Sequence, residues 1–307
     1  SDVPDLWDVK MDSSPHDCGA SRFRPEGAHE PIIDFVKTVT DRPVVGVGRF
    51  TSPDTMVSQI RRGVLDFIGG ARAGIADPFL PTKIREGRSD DIRECIGCNI
   101  CIASWHDGVP VRCTQNATAG EEWRRGWHPE KFTKTDKPSS VLVVGGGPSG
   151  LEAALVAARQ GFDVTIAERD DDWGGRVLKE SQLPGMASWR RVRDYRVWAL
   201  SQMGNVSMFT NSDLDCDAIQ SFGADHIALA TGAQWTRSLY SALEIPIAPL
   251  NKPQVFTPDD VFAGRVTGDR LLVFDFDHYY LGGVIAEQLA ISGKQVTYAT
   301  PAGHASA

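Results

Sequence analysis

The chain of 307 residues is 41% apolar and carries a formal net charge of −8, which suits a globular protein of about two domains. No apolar run is long enough to cross a bilayer and no signal peptide is evident. An acidic balance without a basic stripe excludes a general nucleic-acid binder.

From Asp5 to about Arg88 short strands alternate with helices. Val44-Val-Gly-Val-Gly-Arg49 reads as a strand entering a turn. Pro53 to Val64 follows as a helix with Met56, Val57, Ile60 and Val64 inward and Thr51 or Ser52 as its cap. Phe67-Ile-Gly-Gly-Ala-Arg72 reads as the next strand. The Gly48-Arg49 and Gly69-Gly70-Ala71-Arg72 ends then set bare amides and two guanidiniums at the carboxyl edge of parallel strands, where α/β barrels hold a phosphate. The plainer alternative is that the glycines serve packing and the arginines are solvated.

Next comes Cys95-x2-Cys98-x2-Cys101-x11-Cys113. Three thiolates two residues apart converge from one tight loop, and a fourth closes the cage from further along, one per iron of a [4Fe–4S] cubane. Gly97 and Asn99, between the ligands, tolerate the backbone angles that wrapping a cluster demands. A structural zinc knuckle or a disulfide pair is the alternative, although zinc sites usually come as two separated cysteine pairs. Six cysteines in all, four of them here, point to a reducing cytoplasm, with Cys18 and Cys216 as ordinary thiols.

Ser140-Val-Leu-Val-Val-Gly145-Gly146-Gly147-Pro148-Ser149-Gly150 reads as a buried strand turning through G-x-G-x-x-G into a helix. Gly145 permits the tight turn, Gly147 the approach of a pyrophosphate, and Gly150 close helix–strand packing. Leu151, Ala154, Leu155 and Ala158 share one side of the helix, and Gly161 stops it. A second strand, Asp163 to Glu168, ends on an acid placed to hold a ribose hydroxyl. Further on, Arg270 to Asp277 and Gln295 to Thr300 begin a third βαβ unit. Its first turn carries Asp275, Asp277 and His278, with Gly282 and Gly283 late, and two carboxylates there would repel a pyrophosphate.

Cys95-Ile-Gly-Cys98-Asn-Ile-Cys101, Cys113-Thr-Gln-Asn116 and Arg124-Arg-Gly-Trp-His-Pro-Glu-Lys131 together resemble the trimethylamine and dimethylamine dehydrogenase family. Its relatives include histamine dehydrogenase, the N-methylproline and dimethylglycine demethylases and, more distantly, 2,4-dienoyl-CoA reductase. The resemblance covers essentially the whole chain. It implies an α/β protein with the last βα units of a (β/α)8 FMN barrel over residues 1–90 and a [4Fe–4S] segment over 91–137. A Rossmann-like FAD/ADP-binding domain would follow over 138–268, then the start of a second, degenerate NAD(P)-binding-like domain over 269–307. Both ends therefore look cut.

The resemblance also implies site residues. Gly48, Arg49, Gly70, Ala71 and Arg72 would hold FMN, with Arg72 against the flavin, while Cys95, Cys98, Cys101 and Cys113 hold the cluster. Gly145, Gly147, Pro148, Ser149, Gly150, Glu168, Gly175, Arg176, Thr231 and Gly232 would hold FAD or ADP. Asp17 matches an aspartate that orients an upstream histidine, and Trp105 matches one wall of an aromatic cage for a methylated ammonium. A turn role for Asp17 and a packing role for Trp105 stand beside these. Ser13, Ser14 and Pro15 occupy the place of an expected tryptophan, which turns the reading from trimethylamine toward a bulkier or zwitterionic N-methyl compound.

The function expected is an iron–sulfur flavoprotein amine dehydrogenase or oxidative N-demethylase, homo-oligomeric, that passes electrons from FMN through the cluster to an electron-transfer flavoprotein. Its rivals are an NADPH-dependent enoyl or dienoyl reductase and a non-catalytic electron-transfer or nucleotide-binding subunit.

Overall fold

The computed structural model describes the chain except residues 1–3, 12–20, 22, 138, 241–245, 250–251, 277–278, 304 and 306–307. The chain divides into two compact units, Ser1–Val177 with Ser188–Ala230, and Leu178–Ala187 with Thr231–Ala307.

In the first unit, β1 (Trp7–Val9), β2 (Val44–Gly46) and β3 (Phe67–Ile68) form a parallel sheet in that order. The short helices α1 (Glu30–Ile33) and α2 (Val36–Val39) precede β2, and α3 (Pro53–Arg61) links β2 to β3. Helices α4 (Ala71–Ala76) and α5 (Leu80–Arg85) follow. Ile33, Val44, Phe50, Met56, Leu65, Ala73 and Leu80 pack into one core beneath them.

Three local expectations are corrected here. The strand from Phe67 stops at Ile68, and Ala71–Ala76 is helical, so Arg72 stands in a first helical turn instead of at a strand end. Gly69 still donates to Gly46 O at 2.9 Å, the last link to β2. Only Met56 and Gln59 of α3 are buried, whereas Val57 and Ile60 are each 41% exposed. Gln59 takes the inward position with its Nε2 donating to Glu30 Oε2 at 2.6 Å, which offsets part of the cost of burying the amide, while its Oε1 is buried without a partner. Neither Thr51 nor Ser52 caps α3 through its side chain. The Glu26 carboxylate instead accepts from both their amides at 3.0 Å, a negative charge at the positive end of the helix.

A buried cation then fixes the cysteine segment against α5. Lys83 Nζ donates to Asp77 Oδ2, Asp91 O and Glu130 Oε1, each at 2.8 Å, using all three of its protons. Asp77 Oδ2 also accepts from the amide of Arg93, two residues before Cys95. Helices α6 (Ile100–His106) and α7 (Glu122–Arg125) lie within this segment.

A second parallel sheet completes the unit. It comprises β4 (Ser140–Val144), β5 (Asp163–Ala167), β6 (Val206–Phe209) and β7 (His226–Leu229), ordered β6-β5-β4-β7. The helix α8 (Pro148–Gln160) lays Leu151, Ala154, Leu155 and Ala158 on Val141, Val143, Val164 and Ile166, as the apolar spacing predicts. Leu151 and Leu155 are at most 1% exposed, each burial worth about 2 kcal/mol. Gly161, at φ 95°, ends the helix. Arg176–Glu180 forms the short helix α9, and α10 (Arg191–Ser201) adds Tyr195 and Leu200 to the core before α11 (Cys216–Phe222).

The second unit holds an antiparallel pair, β8 (Ser238–Tyr240) and β9 (Pro246–Pro249), and α12 (Pro258–Phe262). A parallel pair, β10 (Arg270–Phe274) and β11 (Gln295–Ala299), is joined through α13 (Leu281–Ile291). The start of a third βαβ unit is therefore observed. Asp275 is buried and accepts from Tyr298 Oη at 2.5 Å. Its carboxylate lies so close over α13 that a Cβ on Gly282 would sit 2.4 Å from Asp275 Cγ. The turn where a phosphate would need bare amides thus faces a carboxylate. Asp277 and His278 lie outside the described residues.

Candidate functional site

The four cysteines of the motif line a single cavity with Arg72, Ile75, Ile96, Asn99 and Ile100. Gly97 at φ 68° and Asn99 at φ 59° supply the left-handed turns that their positions between the ligands predict. Asn99 then opens α6, which carries Cys101. The chain also aims donors at the sulfurs. Gly97 N donates to Cys95 Sγ at 3.4 Å, Thr114 Oγ1 stands 3.2 Å from Cys98 Sγ, and the amides of Gln115 and Asn116 are directed at Cys113. The Cys95 amide itself is held by Thr51 Oγ1 at 2.7 Å.

Burial pushes the thiols of Cys95 and Cys113 up, and burial with repulsion from its three neighbours takes Cys101 up to about 11. Ligation at neutral pH must therefore release protons to make thiolates. The described cysteines form no disulfide. Among the described residues, no three His, Cys, Asp or Glu side chains converge as ligands of a single ion. One cavity shared by four thiols suits a [4Fe–4S] cluster, one thiolate for each iron.

Two arginines flank this cavity. Arg72 Nη1 donates to Asn99 Oδ1 at 2.6 Å, tying α4 to the cysteine loop. Arg49, at φ 55°, is 8% exposed; its Nη2 donates to Arg24 O at 2.9 Å while its Nε is buried without a partner. Burial pushes the Arg49 guanidinium below its ordinary value, with Cys95 and Glu26 acting the other way. An orphaned guanidinium donor here fits an anionic group such as a phosphate. Gly48 has a packing reason of its own, since a Cβ would lie 2.9 Å from Gly27 Cα. Gly70 caps α4, and Ala71 begins it.

The glycine loop has a distinct job at each position. Gly145 turns at φ 106°, and a Cβ on Gly150 would stand 1.8 Å from Gly145 O, so α8 packs directly on the end of β4. Gly147 faces open space, with no protein atom within 4 Å of a Cβ there. Pro148 and Ser149 begin α8, whose first amides point out beyond the loop. Glu168 follows β5 directly. Its Oε2 accepts from Gly146 N at 2.6 Å and its Oε1 from Asp170 N at 3.0 Å, which leaves a lone pair on each oxygen for a hydroxyl.

The spacing rule passed over Gly146, yet Trp173 covers it so closely that a Cβ would meet the indole at 2.5 Å. Gly174 N donates to Gly146 O at 2.8 Å, which folds the 173–175 segment over the loop, and a Cβ on Gly175 would stand 3.6 Å from Gly147 Cα. Arg193, also missed, donates to Trp173 O at 3.3 Å and fixes that flap. Arg176 begins α9, and Thr231 and Gly232 belong to the second unit. Trp105, on α6, is 63% exposed and meets His106 edge-on at 4.8 Å. Asp17 lies outside the described residues.

Comparison with known proteins matches the two halves of this arrangement separately. Residues 5–91 match the NADH:flavin oxidoreductase / NADH oxidase family, and residues 140–201 match the FAD dependent oxidoreductases. Dimethylamine dehydrogenase of Hyphomicrobium sp. (strain x) is 42% identical over 97% of this chain and 42% of its own. The chain belongs to the dimethylamine dehydrogenase-like family of flavin oxidoreductases. Two solved members superpose along almost all of it. The 6-hydroxypseudooxynicotine amine oxidase of Pseudomonas geniculata N1 is 53% identical with a TM-score of 0.94, covering 99% of this chain and 46% of that one. Histamine dehydrogenase of Rhizobium sp. 4-9 is 46% identical with a TM-score of 0.93, covering 99% and 45%. The chain thus spans less than half the length of these relatives. Among the described residues no helix is long and apolar enough to cross a membrane.

Proposed function

We propose that this chain forms the cluster- and nucleotide-bearing part of a flavin-dependent amine dehydrogenase, together with the closing βα units of its FMN barrel. The observation that carries this reading is the cavity shared by Cys95, Cys98, Cys101 and Cys113, built into the same compact unit as the flavin-family segment and the glycine loop. The identity to an amine oxidase and to histamine dehydrogenase supports an amine as substrate, and that to dimethylamine dehydrogenase supports an N-methylated one. With its groups bound, the protein would have FMN to take two electrons as the amine becomes an iminium and a [4Fe–4S] cluster to release them singly to an electron-transfer flavoprotein.

The chain's own residues would do the holding. The four thiolates ligate the cluster, with Thr114 Oγ1 and the amides of Gly97, Gln115 and Asn116 on their sulfurs. Arg49 offers its unpartnered Nε to the FMN phosphate, and Arg72 ties the flavin side to the cysteine loop through Asn99. Gly147 and the first amides of α8 receive a pyrophosphate, and Glu168 holds a ribose hydroxyl of FAD or ADP. Asp17 orients a histidine at the amine, and Trp105 presents an indole face to its cationic head.

The test is a set of single cysteine variants of the full-length protein, assayed for iron and acid-labile sulfide, for flavin bleaching by amine, and for electron delivery to the acceptor. Each variant should lose the cluster and the delivery while the flavin still bleaches. Normal turnover with the acceptor in a cluster-free variant would sink the proposed route.

A further inference from the structure

We propose that Arg196 is a positioning residue of the cysteine site that tunes the cluster through the Gln115–Asn116 peptide, with Glu152 setting how much of its charge is felt. The inference rests on the reading of the four cysteines as cluster ligands.

Arg196, on α10, is 3% exposed, and each of its three guanidinium nitrogens has a hydrogen-bond partner. Its Nε meets Glu152 Oε2 on α8 at 2.7 Å. Its Nη1 donates to Val192 O at 2.8 Å and to Gln115 Oε1 at 3.1 Å, and its Nη2 donates to Gln115 O at 3.2 Å. Gln115 is itself 1% exposed, and its Nε2 donates to Glu94 O at 3.0 Å, beside Cys95. One side chain therefore joins the Cys113 arm to the Cys95 arm, and one arginine fastens both to the nucleotide helix.

The peptide between Gln115 and Asn116 gives this latch an electronic consequence. Its carbonyl is the acceptor of Arg196 Nη2, and its N–H is the Asn116 amide directed at Cys113 Sγ. A cation on the carbonyl end of a peptide polarises the N–H end, and hydrogen bonds in series strengthen one another at low dielectric. Hydrogen bonds to the sulfurs and net charge are among the factors that set a cluster's potential. Arg196 should accordingly favour the reduced cluster, and Glu152 should oppose it. A merely structural clasp would predict no such opposition of sign.

The experiment is a redox titration of the cluster by paramagnetic resonance in the full-length, cofactor-loaded protein and in Arg196→Gln, Arg196→Lys and Glu152→Gln. Arg196→Gln should lower the reduced-to-oxidised ratio at the wild-type midpoint by about threefold or more, a shift of about 30 mV for one electron. Glu152→Gln should move the midpoint the opposite way, and Arg196→Lys, which keeps the charge, should recover more than half of the loss. Unchanged midpoints in both charge-removing variants, or shifts of the same sign, would overturn the proposal. Should Arg196→Gln not fold, Glu152→Gln decides alone, a rise supporting the proposal and no change refuting it. Absence of a [4Fe–4S] cluster from the wild-type protein, by iron and sulfide analysis, would instead reject the ligand reading and the tuning with it.

Discussion

Gly147, the cap of α8, and Gly150, in its first turn, should fail in opposite ways when replaced by alanine. At Gly150 the added methyl would stand 1.8 Å from Gly145 O, 3.0 Å from Gly145 C and 3.2 Å from Ala230 Cβ. The first turn of α8 would have to retreat by about 1 Å to relieve that contact, because the obstacle is backbone and cannot rotate away. Such a displacement should cost about 2–4 kcal/mol, or a fall of about 5–15 °C in melting temperature for a unit of this size. At Gly147 the backbone is extended, at φ −72° and ψ 179°, and nothing in the protein lies within 4 Å of the new Cβ. Gly147→Ala should therefore melt within about 0.5 kcal/mol of the wild type. It should nevertheless lose about tenfold or more in affinity for ADP, about 1.4 kcal/mol, because the methyl fills the space a pyrophosphate would enter. Thermal melts and ADP calorimetry on the full-length protein read the two effects separately. Wild-type ADP affinity in Gly147→Ala would refute the placement of the pyrophosphate, and an unchanged melt in Gly150→Ala would refute the packing.

Two further outcomes concern stability. Lys83→Met should destabilise the first unit by about 3–5 kcal/mol, since it takes the cation from the buried Asp77 carboxylate and leaves Glu130 only its 3.7 Å pairing with Arg93; Lys83→Met with Asp77→Asn should recover part of that loss in urea unfolding. Arg62, with help from Gln59, holds the Glu30 carboxyl down to about 2, below its ordinary 4.5. Stability from this lowered group is complete above pH 4.5 and disappears as pH falls toward 2. Glu30→Gln should thus cost about 1 kcal/mol at pH 7, allowing for solvent screening, and close to nothing at pH 2. A pH-independent difference between the two proteins would contradict the assignment.

The parts of this protein that read directly from sequence are those whose chemistry is local. The strand–loop–helix around Gly145 to Gly150, the apolar face of α8 and the acid after β5 follow from spacing alone, because each contact spans few residues or adjacent elements. The cysteine loop is legible for the same reason, down to the left-handed turns at Gly97 and Asn99. Reading failed where a distant residue changed a local preference. Glu26, not Thr51 or Ser52, caps α3, and that freed Thr51 to hold the Cys95 amide 44 residues away. Gln59 displaced Val57 and Ile60 from the inward face, where its Nε2 reaches the Glu30 carboxylate. The strand from Phe67 ended early, since two glycines followed by Ala71-Arg72-Ala73 favour a helical turn over a continued ladder. No periodicity predicts that Lys83 is buried, or that Arg196 reaches Gln115 across 81 residues. In both cases the signal exists only once several hydrogen-bond acceptors have been brought together.

The central claim is that amine-derived electrons pass through a flavin to a cluster held by these four cysteines. It is tested most directly by anaerobic reduction of the full-length, cofactor-loaded protein with a panel of N-methylated amines and, separately, with NADPH, followed by visible and paramagnetic-resonance spectra. Flavin bleaching together with a reduced-cluster signal on addition of an amine, and neither with NADPH, is the predicted result. Reduction by NADPH with no response to any amine would contradict the account and make the protein a reductase.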